Sequence, residues 1–218
     1  MAGLGRFVVF ASVAAALALI VTYGGGARPA KQGLQRPVAV GAGPLGRDDF
    51  WALVDHSATW GEDADAQLAD LRTSLRRLTP SQIAAFQGYF EEAMIRSYRW
   101  DLWGAAYVAK GGASDDGFEY FQRWLISRGR TDFERVLVDP DALADLAIPD
   151  AQSDLEFEAF GYVAPEIWSA KTGQALSQMP EADVRPRPSA PSGTPFKEET
   201  SHLAARYPKL WKRFGTWL

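Results

Sequence analysis

Cysteine is absent from the 218 residues, and histidine occurs only at His56 and His202. The first absence removes disulfides, thiolate nucleophiles and Cys-based zinc sites together. It leaves the compartment open, because a domain with a good core needs no disulfide on either side of a membrane. Two histidines far apart in sequence make a poor start for a metal site, so neither a metal nor a cofactor is expected. Acidic residues are missing from positions 1–47, where Arg6, Arg28, Lys31, Arg36 and Arg47 stand unopposed. Of 23 basic and 27 acidic side chains in all, the body from Asp48 onward therefore holds 18 basic and all 27 acidic. An acidic body repels the phosphate backbone, whose neutralisation supplies most nucleic-acid affinity. No nucleic acid is expected; a basic or neutral protein partner fits better. No G-x-S-x-G, P-loop or dinucleotide fingerprint occurs, and the acidic stretch Asp139–Asp150 lacks EF-hand spacing. Sustained alternation of apolar and polar residues is missing too, which argues against strands.

What is present begins with one apolar run. Phe7 to Tyr23 (FVVFASVAAALALIVTY) holds 17 uncharged residues, which as a helix would span roughly 25 Å, just short of a ~30 Å hydrocarbon core. Arg6 precedes it and GGGARPA follows. The run is longer than the ~7–15 residues of a usual signal core and no clear A-x-A follows, so it reads as an uncleaved anchor, with a cleaved signal peptide as the alternative. The basic residues just after the run outnumber those before it, a lean toward a body facing the cytoplasm. Three parts are expected: an anchor or signal segment over 1–24, a flexible Gly- and Pro-rich tether over 25–47, and a helical domain over 48–218.

Within that domain the apolar spacing is helical nearly throughout. Asp48 and Asp49 precede a first helix, and Leu68, Leu71, Leu75 and Leu78 mark a second over Asp63–Leu78. Thr79-Pro80-Ser81-Gln82 is a capping sequence opening a third, which carries Ile83, Phe86, Phe90 and Met94 and continues or kinks toward Trp100. Gly111-Gly112 ends that region. Ser114 opens another helix striped with Phe118, Phe121 and Leu125 and closed by Gly129. Thr131 and Glu134 have the spacing of a capping box leading into Phe133–Val138, and Pro140–Leu146 reads as one more short helix. The proline-rich stretch Pro180–Pro195 is a loop, and SHLAARYPKLWKRFG beyond it has enough apolar residues to dock back on the core. The class is all-α, in one compact multi-helix domain preceded by a transmembrane or signal helix.

Three carboxylates and three tryptophans are the candidates for chemistry. Asp115 and Asp116 follow a Gly-Gly turn and have the residue type to hold a divalent cation or act as acid and base. The alternative is first-turn negative charge, favoured there by ~0.3–1 kcal/mol. Asp101 lies between Trp100 and Trp103, a poor mid-helix residue that if buried needs Arg99, Arg123 or Arg128 as partner. One functional arrangement puts Asp101, Asp115 and Asp116 at the end of a pocket lined by Trp100, Trp103 and Trp124. The structural arrangement, favoured here, is an ion pair stitching two helices and an aromatic core stripe.

The blocks DDFWALVD, RWDLWGAAY, GGASDDGFEYFQRWLISRGR, DPDALADL, GYVAPEIWSAKTG and YPKLWKRFG resemble, in type and order, the bacterial domain-of-unknown-function family 4240. The resemblance runs from about Asp48 to Gly215. It implies no reaction, ligand or partner, and it implies a chain that begins near the FW segment, so the apolar run looks like an addition. The reading is a membrane-tethered helical module that binds a protein partner. The alternative is a small hydrolase, metal-dependent in one version, using Asp101, Asp115 and Asp116.

Overall fold

The computed structural model describes residues 38–146, 155–181 and 186–217. Among them lie nine α-helices: α1 (Arg47–Ala58), α2 (Ala64–Leu75), α3 (Pro80–Ser97), α4 (Trp100–Lys110), α5 (Asp115–Ser127), α6 (Arg130–Val138), α7 (Val163–Thr172), α8 (Thr200–Arg206) and α9 (Pro208–Phe214). Short 3-10 turns occur at Pro140–Asp145, Glu158–Tyr162, Leu176–Gln178 and Gly215–Trp217. The described residues contain no strand, only an isolated bridge between Arg99 and Ser192. The all-α class is what the spacing predicts. The apolar run 7–23 lies outside the described residues, and among those described no helix is long and apolar enough to cross a membrane.

Local chemistry sets most helix ends. Asp63 accepts from Ala66 N at 3.0 Å at the start of α2, and Thr79 and Gln82 form the expected reciprocal cap on α3. Gly111 takes φ +71° after α4, the left-handed ending that glycine allows. Three ends differ from the sequence reading, the first being that α2 stops at Leu75 and not at Leu78. Helix α6 starts at Arg130 after Gly129, so the box expected at Thr131 does not form. Its first turn is tied instead by Arg130 N donating to Asp55 of α1 at 2.7 Å. The third difference is a break after Ser97. Tyr98 and Arg99 leave helical geometry, and α4 begins at Trp100. Asp101 is therefore a first-turn residue, where a carboxylate suits the helix dipole, and not a mid-helix one.

Helix α3 is central, packed on α7, α5 and α1, while α4 rests on α9 and the Pro140–Asp145 turn. The stripes read from sequence face inward: Ile83, Phe86 and Phe90 of α3 and Phe118, Phe121 and Leu125 of α5 are buried. Each such side chain contributes about 1.5–3 kcal/mol on leaving water. Buried amides tie the layers. Gln122 Nε2 donates to Met94 O at 2.9 Å and Ser97 Oγ at 2.8 Å, holding the end of α3 to α5. Before α1, within the stretch expected to be a tether, Leu45 is buried and Gln82 Nε2 donates to Gly41 O at 2.9 Å and Gly43 O at 2.8 Å.

The C-terminal segment docks as expected, with Leu203, Tyr207, Leu210 and Phe214 buried. Asp141 receives Lys209 N at 3.0 Å and Leu210 N at 2.9 Å, so a carboxylate from the 3-10 turn satisfies the first amides of α9. Tyr207 donates its hydroxyl to Asp101 O at 2.8 Å, and burial above all pushes its phenol up to about 12. It stays a donor across the working pH range. Gly104 leaves the room this requires. A Cβ there would fall on the Tyr207 hydroxyl and lie 3.0 Å from Phe196 Cγ. Replacement Gly104→Ala gains about 1 kcal/mol of helix preference but overpacks a bonded, immobile phenol, typically ~1–3 kcal/mol. Urea unfolding is expected to show a net loss of about 1 kcal/mol, reduced when Tyr207→Phe is added; a more stable single variant would contradict this packing.

Candidate functional site

The break between α3 and α4 organises the first candidate site. A column of stacked rings starts there and runs through the protein. Trp100 stacks on Trp103 at 5.2 Å, Trp103 on Phe118 at 4.8 Å, Phe118 on Phe121 at 6.2 Å, and Phe121 on Trp124 at 5.7 Å. Trp103 also donates its indole N–H to Ala113 O at 3.0 Å. The three tryptophans thus share one stack, but they do not line one pocket. Trp100 and Trp103, with Tyr98 and Asp115, line an open cleft of about 300 Å³ whose far wall is Arg187 and Ser189–Pro191. Trp124 is at the other end of the column, under the Arg128 guanidinium at 5.8 Å.

The carboxylates are similarly divided. Asp101 is taken up locally: Arg99 Nε donates to Oδ1 at 2.9 Å, Arg99 Nη2 pairs with Oδ2, and Leu102 N donates to Oδ1 at 2.8 Å. Arg99 Nη1 reaches on to Leu137 O at 2.7 Å, so the ion pair joins α4 to the end of α6. Asp115 and Asp116 are exposed on the first turn of α5, behind Ser114, which caps Gly117 N at 3.2 Å. Of the three, Asp115 alone lines the cleft. Among the described residues no three His, Asp or Glu side chains are grouped to hold a metal ion. Of the trio offered for acid–base or metal chemistry, Asp115 lines the cleft while Asp101 is paired with Arg99. His56 is paired with Asp70 at 2.8 Å between α1 and α2, and His202 lies on α8.

A larger open groove, about 640 Å³, lies beside the first, between α3, α5 and α7. Apolar Phe90, Met94, Ile95 and Pro165 line it together with Glu91 and Glu181. One wall is an ion cluster. Glu119 receives Arg123 Nη2 at 2.5 Å and Arg187 Nη1 at 3.1 Å. Burial would raise this carboxyl, but the bonds from Arg187 and Arg123 outweigh it and hold Glu119 below the ordinary glutamate range. Arg123 also donates to Glu158 O at 2.7 Å and covers the Tyr162 ring at 4.8 Å. Gly161 permits this, since a Cβ there would lie 2.9 Å from the guanidinium carbon. Arg187 belongs to both clefts, with its guanidinium 4.3 Å from the centre of the Tyr98 ring.

A family model described as "Protein of unknown function (DUF4240)" matches residues 45–170. The chain belongs to the DUF4240 family. The match covers α1 to α6 and nearly all of α7, including both tryptophans of the small cleft and the Glu119–Arg123 pair. The proline-rich segment and helices α8 and α9 lie beyond the matched residues. Comparison with curated proteins and with solved structures gives no match.

Sequence reasoning missed Tyr98, Glu119 and Arg187, and offered Arg123 only as a partner for Asp101, whereas it pairs with Glu119. The alternation of Arg and Pro at 185–188 was the available signal for Arg187, but spacing does not say where a loop docks. The lowered Glu119 carboxyl carries a pH dependence of definite sign. Its pairing contributes in full above the ordinary glutamate value and is lost as pH falls through the lowered value of the folded state. Glu119→Gln is expected to lose roughly 1 kcal/mol at pH 7, and the gap from wild type should narrow as pH falls below the ordinary glutamate range. A gap that persists unchanged in urea titrations at pH 3 would refute the assignment.

Proposed function

We propose that this DUF4240 chain is a membrane-tethered binding module whose acidic helical body holds a basic protein partner in the groove between α3, α5 and α7. The observation that carries the reading is the chemistry of that groove. Apolar Phe90, Met94, Ile95 and Pro165 share its lining with the carboxylates of Glu91 and Glu181. The two arginines on its wall are already occupied by Glu119. A segment presenting an apolar side chain beside Lys or Arg would bury the first against the apolar lining and meet carboxylates with the second. The excess of 27 acidic over 18 basic side chains from Asp48 onward favours the encounter with a basic partner. Tethering rests on the uncharged run Phe7–Tyr23, flanked by Arg6 and followed by a Gly-rich stretch. A regulatory or immunity-like role is one form such binding takes.

Selection of random displayed peptides on the full-length protein in detergent tests this directly. Enriched sequences are expected to carry Lys or Arg beside a bulky apolar residue. Their affinity should fall about tenfold, near 1.4 kcal/mol, when Glu91→Lys and Glu181→Lys are combined. Enrichment of acidic sequences, or affinity indifferent to the reversal, would sink the proposal.

A further inference from the structure

The small cleft is walled by the protein's own chain, and the manner of its filling carries information. Residues 186–199 cross the α3–α4 break without helix or strand. Their hold on the body is compact. Ser192 N donates to Tyr98 O at 3.0 Å, and Trp100 N donates to Ser192 O at 3.0 Å. These are the backbone groups that the broken helix leaves over. Pro191 is buried, while its neighbours on both sides are exposed. Arg187, four residues earlier, lies over Tyr98 and bonds to Glu119. Phe196, four residues later than Ser192, packs at 6.4 Å from Trp100 and 5.3 Å from Tyr107.

This is how proline-rich peptides are usually read. An aromatic shelf takes the proline, backbone bonds fix the register, and an acidic residue selects a nearby cation. Such segments dock at small entropic cost because their rings already restrict the backbone. We propose that Tyr98, Trp100, Trp103 and Glu119 form a binding site for a proline-rich peptide with an arginine four residues before the buried proline, occupied in cis by residues 186–196. The ligand in trans is a segment of that pattern on a partner protein. It displaces the strap, its own arginine taking the place of Arg187 on Glu119. This site is read from different residues than Glu91 and Glu181, so it stands or falls apart from the basic-partner proposal.

The test uses the full-length protein in detergent and the synthetic peptide PRPSAPSGTPF, residues 186–196, followed by calorimetry and tryptophan fluorescence. In the protein, Arg187→Ala with Ser192→Pro removes the ion pair and one backbone donor from the strap. That variant is expected to bind the peptide at least tenfold more tightly than wild type. Replacing the peptide's arginine by Glu, or adding Glu119→Gln to the protein, should abolish the gain. Pro191→Ala alone leaves both backbone bonds in place and should give a smaller gain, about threefold, should the double variant fail to fold. Equal binding of a scrambled peptide, or no gain in either variant, overturns the site. A strap-exchanged dimer of the variant in size-exclusion chromatography overturns its assignment to a partner protein.

Discussion

An interrupted helix must place its freed backbone groups somewhere, and at Tyr98–Trp100 this requirement joins four parts of the molecule. Helix α3 gives up its last turn to Gln122 and Ser97, whose hydroxyl bonds back to Ala93 O at 2.9 Å. Tyr98 O and Trp100 N are then left for Ser192. Arg99, with its extended backbone, spans Asp101 and Leu137 O and so connects α4 with α6. Asp101 O in turn receives the Tyr207 hydroxyl from the C-terminal segment. An unpaired buried donor or acceptor costs about 1–3 kcal/mol, so each of these partners is held by what its absence would leave exposed. Continuous helix through residues 97–100 would leave Ser192 and Arg99 without their partners and the strap without a seat.

Electrostatics acts on that frame in the same economical way. The body is acidic, yet the cations near the clefts are committed: Arg99 to Asp101, Arg187 and Arg123 to Glu119, and Lys110 to Glu156. Glu134 is matched to Arg96 in a bidentate pair at 2.8 and 2.6 Å, which holds its carboxyl below the ordinary range and links α3 to α6. In the proposed binding, Glu91 and Glu181 of the larger groove are what the basic partner meets. Both proposed recognition surfaces follow from this division, one reading basic side chains at Glu91 and Glu181, the other reading arginine at Glu119 once the strap has gone.

Much of the helical order was legible because short-range chemistry dictates it. Thr79 and Gln82, Asp63, Ser114 and Gly111 end or begin helices through bonds to residues three or four positions away, and the buried stripes of α3 and α5 follow directly from spacing. The break at Tyr98 was half legible. A kink toward Trp100 is open to the sequence, but its position depends on Ser192, more than ninety residues on. Thr131 and Glu134 have capping-box spacing, yet the contact with Asp55 moves the start to Arg130. Arg99 was one of the partners foreseen for Asp101, whereas the separation of Trp124 from the cleft was not, since stacking on Phe118 and Phe121 carries the column through the core. Proline spacing marks Pro180–Pro195 as irregular without saying what it touches.

Native-state hydrogen exchange tests the central claim, that the strap is a locally separable element seated on the helix break. The amides of Ser192 and Trp100 are predicted to exchange through local opening with little dependence on denaturant, while those of Phe121 and Leu125 exchange only with global unfolding. Equal protection of all four, with the same steep denaturant dependence, would show the strap to be an inseparable part of the core and contradict the account.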